Sequence, residues 1–477
     1  MSERRIVGVA ILAAVLAIVG LVDRVDRAPL TPIGQRLATA YAPTASPPDA
    51  LTSTWYCPAG TATGGYADST VVVFNPGARR LHGSVDVVGS DGNRGSRSIT
   101  LQPRQRLAIP LVEVLRASYV AAMVRLDGGG AIVEHTTTGP AGDAIGACAS
   151  SASTRWYVPE GATTRAAQLV YALFNPFPDD AIVDMTFATE QGRDAPSAFQ
   201  GIVVPANGLV PVDVGTHVRR RSHVSAAIHA RRGRIVVEAL QVHTGDGRRG
   251  VGLMLGLPRT ATSFVFPDGT AGADHFEQLH LFNPSDQEAS VELDLVLDDG
   301  QAQPFQLRVP QQGRITVDLT GESRVPKGVG HALLVHVSNG VPVAVTRTID
   351  VGLASARRGY ISDVGATGAA MHWGFAAGGS SPSLDEWIAV VNEAPRAVTV
   401  DLTRANASSL LALPGLNGVR IERGARKVIH IADFGAKPDT PLVVNASGPV
   451  VVERTTLHLT GTGASSVMGT VLSTDHG

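Results

Sequence analysis

Val73-Phe74-Asn75-Pro76 returns as Leu173-Phe174-Asn175-Pro176, again as Leu281-Phe282-Asn283-Pro284, and in a degraded form as Val390-Val391-Asn392-Glu393. The four asparagines are 100, 108 and 109 residues apart. An apolar run closed by Asn-Pro reads as the end of a strand: proline cannot donate to a ladder, and an asparagine side chain satisfies turn amides. Upstream of each copy stands an aromatic start, at Trp55-Tyr56, Trp156-Tyr157, Phe264-Val265-Phe266 and Trp373-Gly374-Phe375, followed by Gly60, Gly161, Gly269 and Gly378. Downstream, turn glycines Gly92, Gly192 and Gly300 share one offset from the asparagine, with Ser409 in the fourth copy. Each copy then ends in an apolar run with a polar cap, at Glu134, Glu238, Thr346 and Glu453. Agreement at several independent points identifies an internal repeat of about 100 residues.

Inside a repeat, Val291 to Leu297 and Val398 to Leu402 alternate apolar and polar side chains, the pattern of strands with one buried face. The 52 glycines, 29 prolines and 17% charged residues fit short strands joined by turns. The expected fold is all-β, with four tandem immunoglobulin-like β-sandwich domains after one N-terminal transmembrane helix. The expected bounds are 1–27 for a cytoplasmic tip and anchor and 28–52 for a Pro/Ala/Thr-rich stalk. The four sandwiches follow at 53–153, 154–261, 262–370 and 371–474.

The anchor reading rests on Ile6 to Val22, an uninterrupted apolar run behind Arg4 and Arg5. As a helix it reaches roughly 25 Å, enough to span. The leading arginines keep that end in the cytoplasm and send the rest out as a single-pass extracytoplasmic body. A cleaved signal peptide is the competing reading, with Ala38-Thr39-Ala40 or Ala40-Tyr41-Ala42 as the site of the cut. In an exported chain two cysteines favour a disulfide. Cys57 stands where Val158 stands in the next repeat, pointing inward on a first strand, and Cys148 falls where the first domain's last strand finishes. A Cys57–Cys148 bond is therefore expected to tie the two ends of the first domain.

Start motif Trp55-Tyr56-Cys57-Pro58-Ala59-Gly60, the Phe-Asn-Pro strand ends and the anchor together resemble an actinobacterial family of membrane-anchored proteins defined only as a domain of unknown function. The resemblance spans nearly all of the chain after the anchor. It implies a role in the cell envelope, with an envelope glycosyltransferase as the class of protein partner. The fourth repeat departs from it by carrying Glu393 in place of proline.

Motifs for chemistry are scarce. The three lysines follow Pro326, Arg426 and Ala436, which excludes a Gly-Lys phosphate loop, and neither His-Glu-x-x-His nor Gly-x-Ser-x-Gly occurs. A net charge of -2 supplies no field for a nucleic-acid backbone. Glu134, Glu238 and Glu453 could act in glycoside chemistry only as a close pair, whereas the repeat places them a domain apart. His217, His223, His229 and His243 fall in the second domain, and His223 and His229 share a strand face at even spacing, but no carboxylate or cysteine accompanies them at ligand spacing. Arg219, Arg220, Arg221, Arg231, Arg232, Arg234, Arg248 and Arg249 form three basic clusters; if they are hairpin ends on one side, they make a patch for phosphate or carboxylate groups. No cofactor and no metal is expected. The preferred reading is a non-catalytic, membrane-anchored scaffold or accessory protein; a module binding envelope polysaccharide or anionic polymer, and an enzyme with an interdomain site, remain the alternatives.

Overall fold

The computed structural model describes residues 43–473, apart from 246, 299, 353–357, 406–408 and 436–437. The expected anchor, Ile6 to Val22, lies outside the described residues, among which no helix is long and apolar enough to cross a membrane. The described chain is all-β, built of strands and short 3-10 turns in a β-sandwich-like arrangement.

Around each repeated asparagine one sheet has the same order. In the first, Asp68–Phe74, ending one residue before Asn75, lies between the edge strand Arg106–Pro110 and the strand Ile132–Gly139, and Gly142–Ala147 is outermost. The order returns with Ala167–Asn175 beside Val236–His243 and Gly250–Leu255. It returns again with His275–Asn283 beside Ala344–Val351 and Gly359–Val364, and with Leu384–Asn392 beside Leu442–His458 and Ala464–Met468. We refer to these, in order outward, as the asparagine, inner and axial strands. Each such sheet faces a second one, in the first case ordered Ser53–Cys57, Val120–Leu126, Leu81–Gly89, Arg94–Leu101. We call each facing pair a unit. In the fourth unit the 17-residue strand Leu442–His458 serves both sheets, so that nine strands join into one sheet.

Strands of the second sheets alternate as the sequence predicts; Ala289–Leu297 is buried at every other residue over its first six positions. The inner strands do not. Val236–His243 and Ala344–Val351 are buried along their whole length, because a neighbouring unit covers the face that a solitary sandwich would leave wet. The apolar side chains there form clusters between units: Phe174, Leu240 and Leu253 meet Ala59 and Ala121, Val72 and Phe74 meet Ala377 and Val443, and Ile349 and Ile361 meet Leu457.

The units close into a ring. The axial strand Gly142–Ala147 packs against Gly250–Leu255 on one side and Ala464–Met468 on the other, and Gly359–Val364 packs against the same two. Small residues let these backbones meet: a Cβ on Gly252 would lie 2.8 Å from the ring of Tyr360. The axis is filled rather than hollow, for a cavity of 40 Å³ bounded by Met254, Val364 and Met468 has room for little more than a water or two. Closure uses both ends of the described chain. Thr44 bridges Val471 in parallel, Ala45 and Val471 donate to Val471 and Pro43 at 2.9 Å, and Asp143 donates to the Thr462 carbonyl at 3.1 Å. Part of the stretch read as stalk thus belongs to the body from Pro43 onward, with Ala45 buried.

Candidate functional site: the junctions between units

Each repeated asparagine is a clasp. Asn75 Nδ2 donates to the carbonyls of Arg79 and Gln102, and its Oδ1 accepts from the Gly77 amide. Asn175, Asn283 and Asn392 repeat this, binding the carbonyl four residues on, a carbonyl of the following strand connection and the amide two residues on. All four are buried, so the side chain does for the backbone what water cannot. The Cys57–Cys148 disulfide is present, with 4.7 Å between Cα atoms, and joins the first strand to the residue just beyond the first axial strand.

The repeated carboxylates sit at three different junctions. Glu134 of the first unit accepts from the amides of Ala376 and Ala377 at 2.8 and 2.6 Å and from Arg454, all in the fourth unit. Glu238 of the second accepts from the Ala59 amide at 3.2 Å and meets His135 of the first at 2.8 Å. Glu453 of the fourth accepts from the Asp268 amide at 2.9 Å and from Arg347 of the third. The basic partner in every case is the residue following the repeated polar position in the neighbouring unit. Where the second unit has Ala239 at that place, the third has Thr346 rather than a carboxylate, and its hydroxyl instead meets the Met254 sulfur at 3.1 Å. Acid and basic partner are lost together, as the cost of an unpaired buried charge demands. Packing around the pairs is tight: a Cβ on Gly146 would lie 2.8 Å from His135 Nε2.

Burial acts to lower the pKa of Arg347, but the carboxylates of Asp363 and Glu453 override it and raise the value, so the guanidinium stays charged. Burial raises the pKa of Glu453 well above the usual carboxylate range, against the pull of Arg347.

At the junction of the second and third units, another acid takes over. Glu160, from the loop after the Arg155–Val158 strand, binds Arg314 and the Nδ1 atoms of His280 and His223 at 3.1 and 3.0 Å. These donor atoms of Glu160, His223 and His280 lie within 4.8 Å of one another, a spacing a transition metal could bridge. Arg314 stands in the place such an ion would take, also approaching His280 Nδ1 to 3.3 Å. Burial, with Arg314 next, lowers His280 well below the ordinary histidine range and keeps it neutral. The other histidines of that region scatter: His217 packs edge-on against Phe199, His229 is exposed on its strand, and His243 is buried against Tyr360 with its pKa lowered to about 3 by burial.

The eight arginines do not share one face. Arg219, Arg220 and Arg221 lead into the strand Val224–Arg232, while Arg231, Arg232 and Arg234 lie at its far end, roughly 25–30 Å away at strand rise. Arg248 and Arg249 return to the first end. Arg231 pairs with Asp184 at 2.8 Å, Arg234 covers the Phe177 ring at 4.5 Å, and Arg248 pairs with the buried Asp350 at 3.0 Å. A hairpin strand separates clusters that proximity in sequence appeared to unite.

A cavity of 320 Å³ opens between the third and fourth units. Trp387, Ile349, Ile361 and Leu457 give it an apolar wall, and Asp268, Asp298, Arg426 and His275 a polar one. Arg426 bridges Asp268 at 3.0 Å and Asp298 at 2.7 Å.

Comparison with known proteins identifies the chain only at the level of family. Residues 125–371, just over half of the chain, match DUF5719, a family of unknown function. The chain belongs to the DUF5719 family. Among curated proteins none matches. A solved structure from Thermotoga maritima, described as Thermotoga maritima 1070, aligns at 18% identity and a TM-score of 0.21 over 22% of this chain and 94% of its own. A tetra-tandem repeat from the extending region of a large adhesion protein aligns at 12% identity and a TM-score of 0.11 over 88% of this chain and 99% of its own. Neither score bears on how this DUF5719 chain is arranged.

Proposed function

We propose that this DUF5719 protein is a non-catalytic scaffold or accessory subunit of a bacterial cell envelope, actinobacterial by its sequence resemblance. In this reading Ile6 to Val22 holds it in the cytoplasmic membrane, and four immunoglobulin-like units form its extracytoplasmic body. The observation that carries the proposal is the fate of the repeated acids. Glu134, Glu238 and Glu453 each have their oxygens committed to a different junction, which suits a body built to hold its shape and keeps these three acids from pairing with one another for glycoside chemistry. A rigid ring presents the loops of four units at fixed positions to a membrane partner, for which a glycosyltransferase is the class the resemblance suggests.

The test is capture of the full-length protein from membranes with quantitative mass spectrometry of what accompanies it. Stoichiometric recovery of one envelope protein, together with protease digestion of the body only from the outer face, is the expected result. A body reached only from the cytoplasmic face, or recovery without any stoichiometric companion, contradicts the proposal.

A further inference from the structure

We infer that the cavity between the third and fourth units is a binding site for a single neutral sugar residue, with Trp387 under the ring and Asp298 and Arg426 on its hydroxyls. This goes beyond the scaffold reading and does not depend on it.

Size is the first argument. At 320 Å³ the cavity stands at the small end of ligand pockets, right for one cyclic ligand and too large for water alone. The chemistry of the walls is the second. A pyranose or furanose has an apolar C–H face and an equator of hydroxyls that both donate and accept. The apolar wall of Trp387, Ile349, Ile361 and Leu457 offers a surface for the former, with the indole only half-buried and stacked from its other neighbours by His430 at 5.1 Å. The polar groups of the lining are already oriented. Arg426, whose side chain is 1% exposed, is fixed by Asp268, Asp298 and the Pro267 carbonyl. Asp298 uses Oδ1 for that bond, which leaves Oδ2 without a partner among the described residues to accept from a hydroxyl.

Charge then selects among ligands. Two carboxylates face one guanidinium, and His275 has its pKa lowered by burial, so the wall carries a net negative charge that repels phosphate and carboxylate ligands. A buried guanidinium in the same wall disfavours a cation. A neutral polyol satisfies both. Gly330 keeps the site open, since a Cβ there would lie 2.4 Å from Arg426 Nη1.

The protein contains its own reporter. Of four tryptophans, Trp55, Trp156 and Trp373 are no more than 1% exposed, so a ligand that enters the cavity can perturb only Trp387 directly. The experiment titrates the full-length protein with methyl glycosides of neutral hexoses and pentoses, following tryptophan emission and heat, with hexose 6-phosphates as the anionic probe. The expected result is saturable binding by at least one glycoside with a Kd of about 1 mM, typical of a few hydrogen bonds and one stacked ring. Trp387→Phe then removes the emission change while heat persists, and Asp298→Ala weakens binding about tenfold, the loss of one charge-assisted hydrogen bond. The Asp298 side chain is 57% exposed, so that variant should melt as the parent does; Asp298→Asn, which keeps the shape, serves as the second variant if it does not. Absence of binding by every neutral glycoside, tighter binding of a hexose phosphate, or binding unchanged in both the Trp387 and Asp298 variants overturns the assignment.

Discussion

Glu393 shows what a single residue does when a repeat loses its motif. It stands where the other three units have proline, its Oε2 is buried without a partner among the described residues, and burial pushes its pKa up to about 7. Glu386, buried beside Arg454, is pushed up to about 7 as well, burial outweighing the arginine. A carboxyl whose folded pKa lies above its unfolded value of about 4.3 stabilises fully below that lower value and loses the contribution as pH rises through the upper one. The denaturant midpoint of the fourth unit should therefore fall between about pH 4.3 and 7, and Glu393→Pro should remove on the order of 3–4 kcal/mol of that fall. An unfolding series in the parent and the variant with identical pH dependence would contradict this. At this scale the sequence was legible where a residue serves its own unit: the asparagine clasps and the cysteine pair follow from strand ends and repeat offsets. Arg347, Arg454 and His135 were not, because the partner that explains each lies in another unit, more than 100 residues away. The one available signal was the residue following each repeated acid, which is basic or lost in step with the acid next door.

Strands, taken as elements, explain why the junctions hold. An inner strand buried on both faces must place its polar side chains against a neighbour, and the pairs Glu134–Arg454, Glu238–His135 and Glu453–Arg347 are the outcome. Breaking one partner of such a pair costs about 3–5 kcal/mol, whereas replacing both can be nearly neutral. The chain has performed the double replacement itself at Thr346 and Ala239. Glu134→Thr alone should thus destabilise the body by about 3–5 kcal/mol, and adding Arg454→Ala should restore most of it, a coupling measurable in a double-mutant cycle. Additive losses would mean the two side chains are not linked. The disulfide acts on the first unit only: reduction should lower its stability by about 4–5 kcal/mol on the chain-entropy model for a closure of 91 residues, read as earlier melting of that unit in hydrogen exchange. Equal protection in oxidised and reduced protein would contradict that. Strand alternation was readable in the second sheets; the arginine clusters, read as hairpin ends on one side, are instead carried to opposite ends by the strand Val224–Arg232.

For the whole molecule, the sequence conveys a row of similar sandwiches but not how the row is bent. Periodicity reports which face of a strand is buried and not what buries it; runs such as Val236–His243, buried throughout, and the small residues of Gly142–Ala147 and Gly250–Leu255 were the only hints that a second cover exists. Closure has a functional consequence within the proposal, because the segment at Pro43, which in that reading leads from the membrane, is locked to the last strand of the fourth unit at Val471. Pull on the chain is then shared by the ring instead of passing through one sandwich after another. The direct measurement is small-angle X-ray scattering of the body, residues 43–473. A closed ring of this length should have a radius of gyration of about 22–25 Å, close to the scaling for a compact chain, with a single-peaked distance distribution. A radius above about 40 Å with a long tail, as four sandwiches in a line would give, would contradict the closed ring.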